Sequence, residues 1–121
     1  FMSDLARDFG LPLIIVTRPD LGTINHTLLT VRSARACGLP VKGIVLCNFP
    51  RDPGLAELTN PCLISRYAGC PIMGVVKTDE TLSVETGKTG SLKQSARESF
   101  APEFGGSFSA AEFLKALERQ I

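Results

Sequence analysis

Three short runs rich in aliphatic residues recur along the chain: Leu11-Pro12-Leu13-Ile14-Ile15-Val16, Val41-Lys42-Gly43-Ile44-Val45-Leu46-Cys47 and Pro71-Ile72-Met73-Gly74-Val75-Val76. They read as nearly continuous apolar stretches rather than as alternating ones. That is the habit of strands covered on both faces, as in a parallel sheet with helices on either side. Helix-patterned segments separate the runs, so strand, helix and strand follow one another as right-handed βαβ units. The repetition is one of architecture and not of sequence. The expected fold is α/β, with an open, mainly parallel sheet in a single domain over residues 1–121.

The intervening segments carry their own boundary signals. Ser3 to Phe9 reads as a short helix capped by Ser3, with Leu5 and Phe9 one turn apart and Gly10 as its stop. Thr23 to Cys37 reads as a longer helix capped by Thr23. Ile24, Leu28, Val31 and the stem of Arg35 share its apolar face, Leu29 and Ala36 widen that face, and Gly38 and Pro40 follow its end. Leu55 to Leu58 reads as one turn, after which Asn60 caps a new helix with Pro61 first, sending Leu63, Ile64 and Tyr67 inward until Gly69. Thr78 to Phe100 is polar, a loop with one short helix near Ser91 to Phe100, and Pro102 to Ser107 is a further loop. Ser109 to Gln120 has the pattern of an amphipathic helix, with a Ser109–Glu112 capping box and Phe113, Leu114 and Leu117 inward.

Composition narrows the functions. The chain has 121 residues, 44% of them hydrophobic, and a net charge of +1. This is a globular composition with no electrostatic case for nucleic acid or an anionic membrane. No apolar run approaches the roughly 20 residues of a membrane helix. Phe1 to Phe9 mixes acidic and basic residues, which reads against a leader peptide there. Cys37, Cys47, Cys62 and Cys70 include no close pair and accompany one histidine, so they read as buried or half-buried free thiols in a reducing compartment and not as a zinc site. No nucleophile–base arrangement is evident, and no catalytic residue or metal ligand is assigned.

Three stretches carry candidate binding chemistry. Leu21-Gly22-Thr23-Ile24-Asn25-His26-Thr27-Leu28-Leu29-Thr30 follows the first strand and opens a helix, an arrangement that presents backbone N–H groups to an anion. Gly22, Thr23, Ile24 and Asn25 are the expected contacts, with Gly22 allowing close backbone approach. Cys47-Asn48 ends the second strand, where open sheets bind ligands, and an amide there can read donor and acceptor groups of a base. Val76-Lys77 ends the third strand. Gly87-Lys88-Thr89 imitates the tail of a phosphate-binding P-loop, but Leu82 and Thr81 stand where an earlier glycine is required, so no phosphate site is expected there.

The decamer from Leu21 to Thr30 resembles the motif of the ATP-dependent dethiobiotin synthetases. The resemblance runs from about Asp4 to Thr89 and is strongest from Leu11 to Pro50, with Thr59-Asn60-Pro61 also suiting it. It implies a three-layer sheet of the P-loop NTPase type, a homodimer and a cytoplasmic enzyme of biotin synthesis. The substrates would be 7,8-diaminononanoate, CO₂ and ATP with Mg²⁺. It implies that Gly22 to Asn25 hold the substrate's carboxylate end. Cys47 would stand at the family's base-reading asparagine, with Asn48 one residue on. Val76 and Lys77 would line the base pocket, with Lys77 where the family commonly has proline. The family's P-loop, its lysines and its Mg²⁺ ligands belong to an N-terminal half with no counterpart in these residues, so the fold would be incomplete here. The 121 residues alone are expected not to turn over ATP. A chain opening Phe1-Met2 either carries one residue before a start codon or is part of a longer one. The alternative reading is a non-catalytic α/β ligand-binding or dimerisation module without a P-loop.

Overall fold

The structure, a computed structural model, describes residues 1–99, 109, 111, 112, 114 and 115. Strands β1 (Leu13–Thr17), β2 (Val41–Phe49) and β3 (Ile72–Lys77) form a parallel sheet in the order β1-β2-β3. Helix α1 (Met2–Phe9) precedes β1, α2 (Thr23–Ala36) joins β1 to β2, and α3 (Leu55–Ala68) joins β2 to β3. The α/β class and the three strands therefore stand as the apolar runs indicate. Helices α2 and α3 pack on one another and on the sheet. The core lies between them: Ile44, Leu46 and Phe49 of β2 and Val75 of β3 meet Val31 of α2 and Ile64 and Ala68 of α3. Each large aliphatic side chain buried there stabilises the fold by about 1.5–3 kcal/mol.

Burial on both faces holds for the middle of the sheet and fails for β1. Among the described residues β1 pairs only with β2, and Val16 is 64% exposed. A central strand reads apolar because both faces are covered; β1 has the same composition at an edge. β2 runs two residues past its expected end, across Asn48, which stands in the left-handed region (φ 56°), where asparagine is tolerated better than most residues. The ladder shifts between Leu46 and Phe49, and both of those side chains are buried while Asn48 is exposed. Gly43 is required beside β3: a Cβ there would lie 2.3 Å from Met73 Cγ.

Helix α2 turns a different face inward from the one its large aliphatics suggest. Thr23, Thr27, Val31 and Ala34 are buried, Ile24 and Leu28 are half-buried, and Leu29 and Ala36 are exposed. Small side chains allow close approach to the end of β1, and the threonine hydroxyls find partners there. Arg35 is not part of the apolar face; its guanidinium donates to the Ala68 and Gly69 carbonyls at 2.6 and 3.4 Å and closes the end of α3. Helix α3 is continuous through Asn60-Pro61, so no new helix begins there. Its N-cap is Gly54, the Pro61 ring is buried, and Asn60 reaches out of the helix to the Pro19 carbonyl. Ile64 is buried and Leu63 half-buried as expected, but Tyr67 is exposed with Arg66 above its ring. In α1 the N-cap is Phe1 and not Ser3, and Leu5 and Phe9 are exposed.

The polar segment after β3 holds a small antiparallel hairpin, β4 (Leu82–Ser83) and β5 (Lys88–Thr89), and the short helix α4 (Leu92–Glu98). The helix was legible; strands of two residues leave no periodicity to read. Ser99 then lies along the outer edge of β3, where its carbonyl accepts the Val75 N–H at 2.7 Å. Gly74 allows that approach, since a Cβ would meet the Ser99 oxygen at 3.1 Å. Residues 111, 112, 114 and 115 are helical. The Ser109–Glu112 capping box forms, with reciprocal bonds of 2.7 and 3.2 Å. Leu114 is exposed and not inward; Phe113, Leu117 and the Pro102–Ser107 loop lie outside the described residues. The four cysteines are free thiols, of which Cys62 is exposed, against expectation.

Candidate functional site

The site is built on the five residues between β1 and α2. Gly22 has φ 88°, a left-handed conformation that turns the chain directly into the helix, and it stands at the N-cap. Thr23 therefore does not cap. Its N–H donates to the Asp20 carbonyl at 3.0 Å, and its buried hydroxyl donates back to the Arg18 carbonyl. Thr17 Oγ1 lies 3.1 Å from Thr23 Oγ1 and 2.8 Å from Thr27 Oγ1. The next donor already bonded within the turn is His26, whose N–H reaches the Gly22 carbonyl at 3.0 Å. Among the described residues no acceptor meets the N–H groups of Ile24 and Asn25. Asn25 is exposed and Ile24 half-buried, so these two donors at the positive end of α2 are left to a ligand or solvent.

The imidazole of His26 folds back over Gly22, 3.4 Å from where a Cβ on that residue would be. It shares a cleft of about 440 Å³ with Thr17, Arg18, Asp20, Thr23 and Thr30 at the carboxyl end of β1. This is where open α/β sheets hold ligands. Of the four residues expected to contact substrate, only Thr23 lines this cleft, and both its donors are committed to the turn itself; Gly22 accepts the His26 N–H, and the N–H groups of Ile24 and Asn25 have no acceptor among the described residues. Arg18, the cation lining the cleft, had no signal in the sequence beyond its place after a strand.

The four expected base-site residues lie at the carboxyl ends of two paired strands, β2 and β3, with different side-chain surroundings. The Cys47 thiol points toward β1 and donates to the Thr17 carbonyl at 3.4 Å, which ties it to the first site. Asn48 is exposed at the bulge, and Val76 is half-buried. Lys77 pairs with Phe49 across the sheet and lines a second cleft of about 570 Å³ with Arg51, Thr78, Asp79, Ser91 and Gln94. Asp79 accepts from the N–H and hydroxyl of Thr81 and of Ser91, at 2.9, 2.5, 2.7 and 2.7 Å. The Thr81 hydroxyl, then Ser91, hold its carboxyl well below the usual carboxylate range. Glu112 is lowered in the same way by the Ser109 N–H and hydroxyl, and burial raises the Cys70 thiol against a smaller opposing effect of Arg35.

Gly87-Lys88-Thr89 is the far side of the hairpin. Gly87 is left-handed in the turn, and Lys88 and Thr89 are exposed strand residues outside the helix that follows, which is capped at Ser91 and begins at Leu92. Among the described residues no three histidine, cysteine or acidic side chains converge as a metal site, and the Asp79 carboxylate is occupied by its own loop.

Comparison with known proteins gives the same direction. A family model described as an AAA domain matches residues 1–86. The ATP-dependent dethiobiotin synthetase BioD of Bacillus licheniformis is 48% identical over 83 residues, covering 69% of this chain and 35% of that protein. The BioD protein of Bacillus subtilis strain 168 is 45% identical over 85 residues, 70% of this chain and 37% of the relative. That of a Parafrankia species is 38% identical over 114 residues, 94% of this chain and 46% of the relative. The chain thus spans between about a third and a half of the length of these relatives.

Proposed function

The chain belongs to the AAA domain family, whose fold is of the P-loop NTPase type, and from that membership we propose that it is a portion of an ATP-dependent dethiobiotin synthetase. In this reading residues 1–121 belong to one α/β domain of a cytoplasmic homodimer. The reaction is closure of a ureido ring. CO₂ adds to one amine of 7,8-diaminononanoate, ATP phosphorylates the carbamate, and the second amine displaces phosphate. These residues contribute the carboxylate end of the substrate site and part of the nucleotide site. Phosphoryl transfer, Mg²⁺ and the groups that neutralise the transferred charge are the work of residues other than these.

The observation that carries the reading is the start of α2. The N–H groups of Ile24 and Asn25 have no partner among the described residues, and they project from a glycine turn within the decamer that resembles the family's own. A carboxylate there receives charge-assisted hydrogen bonds and the favourable end of the helix dipole. For the nucleotide, Asn48 and Lys77 stand at the carboxyl ends of adjacent strands. The test is a titration of the ¹⁵N-labelled chain with 7,8-diaminononanoate. Saturable shifts of the Gly22 to Asn25 amides are expected, and their absence at millimolar ligand overturns the carboxylate assignment. A parallel ATP titration is expected to move Asn48 and Lys77.

A further inference from the structure

The threonines of α2 present a physical question. Thr23 and Thr27 occupy helix positions facing the sheet, where Val or Ala would be buried without a polar atom, and Thr27 is 1% exposed. Burying a hydroxyl without a partner costs about 1–3 kcal/mol. These hydroxyls have partners, and one bond fixes the direction of the others. Thr23 spends its one hydroxyl proton on the Arg18 carbonyl. The Thr17–Thr23 bond must then be donated by Thr17, and the Thr17–Thr27 bond by Thr27. The result is a one-way chain: Thr27 to Thr17 to Thr23 to the Arg18 carbonyl. From the other side, Asn60 Nδ2 of α3 donates to the next carbonyl, that of Pro19, at 3.3 Å. Two consecutive carbonyls of the turn are thereby held, one from α2 and one from α3.

We propose that Thr17, Thr23, Thr27 and Asn60 are positioning residues that hold the Arg18–Gly22 turn so that the Ile24 and Asn25 amides converge on a carboxylate. The proposal rests on the reading of that helix start as the substrate-carboxylate site. None of the four touches the ligand through its side chain. They act through the turn, which needs bracing because Gly22 is free to leave its left-handed conformation. The chain of hydroxyls also explains why α2 buries threonines while Leu29 is left exposed.

The test uses the ¹⁵N-labelled 121-residue chain and two separate readouts. The first needs no ligand: in T27V the amide resonances of residues 18–25 are expected to shift, while those of the second half of α2 stay in place. T27S, which keeps the hydroxyl, is expected to restore the wild-type positions, and N60A to disturb the same segment from the other side. Unchanged resonances for residues 18–25 in both T27V and N60A overturn the network. The second readout is affinity for 7,8-diaminononanoate, expected to fall by up to about tenfold in T27V and N60A and to recover in T27S, on the usual net worth of one hydrogen bond. Wild-type affinity in a T27V protein whose turn has shifted overturns the positioning role. Failure of the wild-type chain to bind the probe overturns the carboxylate reading and leaves the first readout as the judge of the turn. Thermal unfolding of each variant separates these results from loss of the fold.

Discussion

Asp79 does by itself what a longer loop usually needs several contacts to do. One carboxylate joins Thr81 to Ser91 and so closes the excursion that contains the β4–β5 hairpin. Folding favours its ionised form. Its contribution is therefore present above the ordinary aspartate pKa, near 3.9, and is lost only as the pH falls toward the lower folded value. A carboxyl ¹³C titration is expected to show Asp79 still ionised where unperturbed aspartates have half-titrated, with the Ser91 amide resonance unmoved until stronger acid. A midpoint in the ordinary range would remove the clasp. The cysteines make a second prediction. Cys62 is exposed, whereas Cys70 is buried and its thiol is raised, so limited alkylation near pH 8 is expected to modify Cys62 first and Cys70 last. Residue identities near both sites were readable, but their conformations were not. Nothing in Cys47-Asn48 announces that the thiol turns to Thr17 while the asparagine enters a left-handed bulge.

At the level of elements, β2 and β3 fit because Gly43 leaves space for Met73. Gly43→Ala places a methyl group inside the van der Waals radius of Met73 and is expected to destabilise the chain by about 1–3 kcal/mol, measured by urea unfolding. Ile64→Ala, removing the fully buried side chain of α3, is expected to cost about 2–5 kcal/mol. The three strands and the two long connecting helices could be read from apolar runs and stop signals because those patterns reflect burial directly. The continuity of α3 could not. Asn60-Pro61 carries a strong helix-start signal, and only the long-range bond from Asn60 to Pro19 shows what the asparagine does instead. The buried face of α2 is hidden from sequence pattern for a related reason. Hydrophobic periodicity weighs Ile24 and Leu28 above threonine, and it has no knowledge of hydroxyl partners on a neighbouring strand.

For the whole molecule, strand order followed from connectivity, but which strand lies at an edge did not. Composition cannot distinguish a central strand from one whose outer side is open, as β1 is among the described residues. Leu11 and Val16 are exposed beside that edge. Open apolar edges favour pairing with another chain. The 121-residue chain is expected to sediment above 13.0 kDa at high concentration, and V16K to shift it toward the monomer. A wild-type chain that stays monomeric at every concentration would show that the edge is not adhesive.

The carbonyl of Ser99 gives that edge its meaning. By taking the Val75 N–H it covers the outer side of β3 at that point, whereas among the described residues the outer flank of β1 has no partner. A body with two adhesive flanks can add copies indefinitely and grow into a fibre. A body with one can satisfy it only against the same flank of a second copy, around a two-fold axis, after which nothing is left to extend. Self-association through the one flank left open among the described residues is therefore expected to stop at a pair, and species larger than a dimer in sedimentation would count against it.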